Sequence, residues 1–121
     1  MAATDVVTRF NASINARDPE SLSRLMTDDH VFIDSAGERT RGKAACLDAW
    51  RGFFEGFPDY RNTFLSLEAL DDVVVVTGFS SCSFQPLDGP ALWRAQVRGD
   101  KVSEWRVLDD TPANRAALLM S

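Results

Sequence analysis

Apolar residues at Val6, Val7, Phe10 and Ile14 recur at three-and-four spacing, so residues 5–16 predict an amphipathic helix with Arg9, Asn11 and Asn15 outside the stripe. A second helix opens at Asp18-Pro19, where an aspartate can cap free amides and proline suits the first helical position. Leu22, Leu25 and Met26 form its buried side, and Asp28-Asp29 is expected to end it. His30 to Asp34 is short and rich in β-formers; period two puts His30, Phe32 and Asp34 on one face, Val31 and Ile33 on the other. Ser35 to Glu38 turns the chain, and a third helix follows from about Lys43 to Phe54, with Cys46, Ala49, Trp50 and Phe53 on its apolar side. From there the pattern is β: Tyr60–Leu70, Val73–Phe84, Ala91–Val97 and Val102–Asp109. Asp71-Asp72, the loop Pro86–Pro90 and the tight turn Arg98–Lys101 separate these strands. Thr111-Pro112 starts a short closing helix through Leu118 and Leu119.

Helices gathered on one side of a mostly antiparallel sheet define an α+β layout, and curling such a sheet around a long helix leaves a cone-shaped hollow, the default ligand site. Without repeats or linkers, residues 1–121 read as a single domain, a normal length for one. Thirteen Lys and Arg against 18 Asp and Glu give a net charge of −5, which argues against nucleic-acid partners and an anionic membrane surface. The longest uninterrupted aliphatic run, Val73–Val76, is too short to cross a bilayer, and Met1–Asp5 lacks the basic start of a secretory signal. A soluble cytoplasmic protein is the expectation. Two cysteines, Cys46 and Cys82, make no disulfide framework and read as reduced packing residues. With one histidine and no calcium-loop, phosphate-cradling or nucleophile-elbow motif, no metal or other cofactor is expected.

Several short motifs in this order resemble the nuclear transport factor 2-like superfamily, in its SnoaL-like branch. They are Val6–Asn11, Ile14–Asp18, Leu25–His30 leading into Phe32–Asp34, Gly42-Lys43, Phe57–Tyr60 and the ending Arg106–Thr111. The resemblance implies a cone-shaped α+β barrel of the cystatin-like type, with three helices packed on a curved, mixed sheet. It also implies a homodimer through the outer face of that sheet. The superfamily hosts isomerases, cyclases, hydrolases and non-catalytic modules, so fold alone does not select a reaction.

Asp34 stands at the end of the first strand, where the related ketosteroid isomerases carry their general base; its other reading is a cap on the following turn. The positions matching that family's oxyanion hole hold Phe10 and Trp93, which argues against a steroid isomerase. Asp109 shares a strand face with Trp105 and Val107, a face the resemblance turns inward; Asp110, or a helix-capping role, competes with it. Two carboxylates in one apolar pocket can separate an acid from a base. His30 lies about 13 Å from Asp34 along the strand, so the two could act together only through a substrate; its other reading, after two aspartates, is a surface partner. The expected lining comprises Phe32, Trp50, Phe54, Tyr60, Phe79, Ser81, Trp93 and Trp105. Trp93 inside leaves Arg94 and Gln96 on the outer face. The leading expectation is a cofactor-free enzyme doing acid/base chemistry on a small apolar oxygen-bearing molecule, as an isomerase, cyclase or hydrolase. The alternative is a non-catalytic binding or assembly module whose hollow, below about 300 Å³, is filled by its own side chains.

Overall fold

The computed structural model describes residues 2–120, and the side-chain account stops at Leu118, leaving Leu119 outside it. The elements run α1 (Ala3–Asn15), α2 (Pro19–Arg24), β1 (Met26–Ile33), β2 (Arg39–Arg41), α3 (Lys43–Gly56), β3 (Arg61–Leu70), β4 (Val73–Ser81), β5 (Gly89–Arg98), β6 (Lys101–Asp109) and α4 (Pro112–Met120). The six strands form one mixed, open sheet in the order β2-β1-β6-β5-β4-β3, and only β1–β6 is a parallel pairing. With α1, α2 and α3 packed on one face of the sheet, this is a cone-shaped α+β fold.

The stripe read from the sequence of α1 is the stripe that packs: Val6, Val7, Phe10 and Ile14 are buried against Val74, Val76, Trp93, Ala95 and Trp105 of the sheet. Each such side chain removed from water contributes about 1.5–3 kcal/mol. Asp18 caps α2 by accepting from the Ser21 amide (3.2 Å) and hydroxyl (2.7 Å), with Pro19 at the first helical position.

The main departure from the sequence reading lies between α2 and β1. Met26 already belongs to β1, so Asp28-Asp29 sit inside a strand instead of ending a helix. The register of β1 on β6 slips between Met26 and Val31, and this irregular stretch exposes both aspartates. Asp29 uses the exposure to take a two-pronged grip from Arg98 at 3.1 and 3.2 Å, which holds its carboxyl below the usual range.

A second departure concerns α4. It packs on the opposite, outer face, where Leu118 meets Leu92 and Leu108. The sheet is therefore covered on both sides near β5 and β6. Arg94 also lies on that outer face, paired with Glu104 at 2.9 Å. Gly78 marks the tightest spot of the sheet, because a Cβ there would collide with the Thr63 carbonyl oxygen and stand 3.1 Å from the Phe64 Cα. The adjoining register shift in β3, between Phe64 and Ser66, belongs to the same close approach. Both cysteines are free thiols, and no helix among the described residues is long and apolar enough to cross a membrane.

Candidate functional site

The wide end of the cone holds an open-mouthed cavity of about 490 Å³ between α3, the ends of β1 and β6, and the loop before β5. Its floor is aromatic: Phe32, Trp50, Phe53, Trp93 and Trp105 all line it. Trp50 organises the α3 side, with Phe32 edge-on at 5.5 Å and Phe53 edge-on at 5.7 Å. Trp93 and Trp105 are 1% exposed and wedged by Phe64, at 4.9 and 6.2 Å.

One wall is polar. Tyr60 and Ser80 line the cavity with their hydroxyls 3.2 Å apart, and Ser80 donates onward to Asn62 Oδ1 at 2.8 Å. Because Ser80 spends its only proton on Asn62, Tyr60 is the donor to Ser80. Asn62 is anchored in turn, its amide donating to Asn15 Oδ1 at 2.8 Å. Burial pushes the Tyr60 phenol above its ordinary range, against a smaller opposing pull from Ser80 and Asn62.

Three carboxylates stand in the lining: Asp34, Asp88 and Asp109. Asp34 caps the turn and also borders the cavity. Its Oδ1 accepts from the amides of Ala36 (2.9 Å) and Glu38 (3.0 Å), closing the turn into β2, while the residue borders the cavity with its second oxygen unengaged. Asp109 lines the cavity, and no described residue bonds its carboxylate. Its neighbour Asp110 turns away to Arg115, at 2.6 and 2.8 Å, which lowers the Asp110 carboxyl. Thr111 instead provides the cap on α4, accepting from the Asn114 amide at 3.1 Å. Asp88, absent from the sequence reading, accepts from the Cys82 amide at 2.9 Å.

Of the residues expected at the site, Phe32, Asp34, Trp50, Tyr60, Trp93, Trp105 and Asp109 come together. Four do not. His30 lies on the inward face but at the closed end, fully buried, with its ring stacked 5.6 Å from Phe10. Its Nδ1–H donates to the Val102 carbonyl at 2.6 Å, leaving Nε2 as a partnerless acceptor, and burial holds the imidazole below its ordinary pKa. Phe54 packs against the Trp50 ring at 5.6 Å without reaching the cavity. Phe79 and Ser81 sit on the outer face, since Val74, Val76, Gly78 and Ser80 are the inward residues of β4. The aromatic bulk of Phe79 suggested a core position; Ser80, a small polar residue next to Gly78, was the true inward signal.

With this geometry in hand, comparison with known proteins fixes the family. The SnoaL-like domain profile matches residues 7–110. The chain belongs to the SnoaL-like family. Solved structures agree on the fold. A candidate polyketide cyclase from Sinorhizobium meliloti superposes with a TM-score of 0.78 at 18% identity, covering 88% of this chain and 99% of that one. IdmH, a candidate polyketide cyclase from Streptomyces antibioticus, gives 0.75 at 18% identity with 100% of both chains covered. A candidate SnoaL-like polyketide cyclase from Shewanella putrefaciens gives 0.78 at 17%, covering 100% of this chain and 88% of that one. At such identities the likeness speaks for the fold alone. No curated protein matches the chain. One fold can host many unrelated functions, so the chemistry follows from the cavity and not from the fold.

Proposed function

We propose that this SnoaL-like protein is an enzyme that moves a proton on a small, largely apolar molecule held in the aromatic cavity. The observation that carries the reading is the hollow itself. At about 490 Å³ it falls within the range of ligand pockets, above the roughly 300 Å³ below which a side-chain-filled module would be the better account. Carboxylates at its edge and aromatic rings at its floor set a proton acceptor beside an apolar surface, an arrangement suited to proton abstraction next to a carbonyl.

Asp34 is assigned the proton. Two backbone amides fix one oxygen and so aim the carboxylate as a unit, which is the preorganisation a general base needs. Asp109, free of partners, assists as the second carboxylate. The step asks for a proton acceptor beside the carbonyl, and the carboxylates of the lining can serve as one.

The test is solvent-deuterium exchange into 2-tetralone, a bicyclic ketone with acidic protons beside its carbonyl, followed by NMR. The protein accelerates exchange over buffer, and Asp34→Asn removes the acceleration while keeping the fold, because asparagine still accepts from the two turn amides. Equal exchange in buffer and protein, or an unaffected Asp34→Asn variant, overturns the assignment. A homodimer through the outer sheet face belongs to the same reading. α4 already occupies the Leu92–Leu108 part of that face, so the contact falls beside β4, where Phe79 is exposed. Sedimentation showing only monomer at micromolar concentration would remove it.

A further inference from the structure

We infer that the molecule taken by this cavity is an amine, an apolar body carrying a protonated nitrogen toward the mouth, and that carboxylated and phosphorylated molecules are refused. The inference rests on the reading that the cavity holds a small molecule, and it names the class.

The charges in the lining are all of one sign. Asp34, Asp88 and Asp109 contribute carboxylates, and no lysine, arginine or histidine lines the cavity. Several cations outside the lining are engaged elsewhere: Arg115 with Asp110, Arg98 with Asp29, Arg94 with Glu104 on the outer face, and Arg17 with the Tyr60 carbonyl; Arg39, Arg41 and Arg106 also lie outside it. Asp34 and Asp88 each engage one oxygen with backbone amides, so every one of the three keeps an oxygen for a guest.

The polar wall points the same way. With the Tyr60 proton donated to Ser80 and the Ser80 proton to Asn62, the Tyr60 oxygen meets a guest as an acceptor. A guest that donates hydrogen bonds is therefore favoured at both places. The aromatic floor adds a third preference, because ring faces attract an ammonium group and repel an anion. Neutral donors such as the partnerless Trp50 indole N–H can take an oxygen of the same guest, but nothing in the lining can neutralise a negative charge.

Three adamantane derivatives of one shape separate the possibilities: 1-adamantylmethylamine, 1-adamantylmethanol and 1-adamantanecarboxylate, titrated calorimetrically near neutral pH at low salt. The amine is expected to bind about tenfold tighter than the carboxylate, with the alcohol between them, and the gap to shrink as salt is raised. In the double variant Asp88→Asn/Asp109→Asn, bound alcohol reports an intact cavity, while the preference for amine over carboxylate falls by about threefold or more, Asp34 retaining the rest. Carboxylate binding as tight as amine binding, with the alcohol bound, overturns the inference and leaves the cavity reading standing. If none of the three binds at millimolar concentration, the cavity reading fails and the inference falls with it.

Discussion

Replacing His30 by Phe tests the buried-histidine geometry through its dependence on pH. Phenylalanine keeps the stacking on Phe10 but removes the Nδ1–H bond to Val102, leaving that carbonyl short of a partner at a cost of about 1–3 kcal/mol. It also removes the partnerless Nε2, whose burial costs a similar amount, so near pH 8 the variant should lie within about 2 kcal/mol of the native chain. The contrast comes in acid. Burial depresses the folded imidazole below its ordinary value of 6.5, outweighing the opposing Val102 bond and the carboxylates of Asp29 and Glu104. The unfolded chain then binds the proton more readily, so this contribution to stability is complete above about pH 6.5 and is lost as pH falls below it. The further burial depresses the ring, the more of this stability is lost by about pH 5. Urea unfolding at about pH 8 and pH 5 measures both chains, and the difference between their acid losses cancels most other titrations. The variant should lose less stability than the native chain on acidification. Equal losses would show that the ring is protonated in the fold, and the reasoning would be wrong.

Other substitutions probe other parts of the structure. Gly78→Ala should cost at least about 2 kcal/mol in urea unfolding, because the added methyl meets two backbone groups that cannot rotate away; a variant of native stability would contradict the close approach. Trp93→Ala should cost about 3–5 kcal/mol by emptying the middle of the core, and a loss under about 1 kcal/mol would place Trp93 outside it. Phe79→Ser should change monomer stability by no more than about 0.5 kcal/mol, whereas a core-sized loss would return Phe79 to the inner face. Tyr60→Phe should cost about 1 kcal/mol, since it cuts one link of the hydroxyl chain and leaves the Ser80–Asn62 bond in place; an unchanged urea midpoint would argue against the link.

Where one face of an element is buried and the other wet, the residues announced the structure. The α1 stripe, the Asp18-Pro19 start of α2 and the inward Trp93 with outward Arg94 all follow from that contrast. Legibility failed where both faces are apolar or the backbone is irregular. In β4 the run Val73–Val76 carries no alternation, and α4 on the outer face makes Val75 as apolar as its inward neighbours, so the parity at Phe79, Ser80 and Ser81 could not be read locally. Asp28-Asp29 look like a helix stop, yet a register slip lets a strand carry them exposed. At the site, Asp34 and Asp109 were visible because their strands end at the cavity. Asp88 was not, because its place depends on how the Cys82 amide folds the loop before β5. His30 was read as a site residue from its face alone; its depth is set by Val102, 72 positions away, a partner no local pattern reveals.

All three tryptophans of the chain, Trp50, Trp93 and Trp105, wall the same cavity, which makes the central claim directly observable. The measurement is a titration of the 15N-labelled protein with 1-adamantylmethanol, following the indole N–H signals. A hollow that admits a guest predicts that all three indole signals move together and saturate, while the amides of Thr8 and Ala12 on the far side of α1 stay in place. Indole signals that do not move, or drift without saturating alongside every surface amide, would mean that nothing enters.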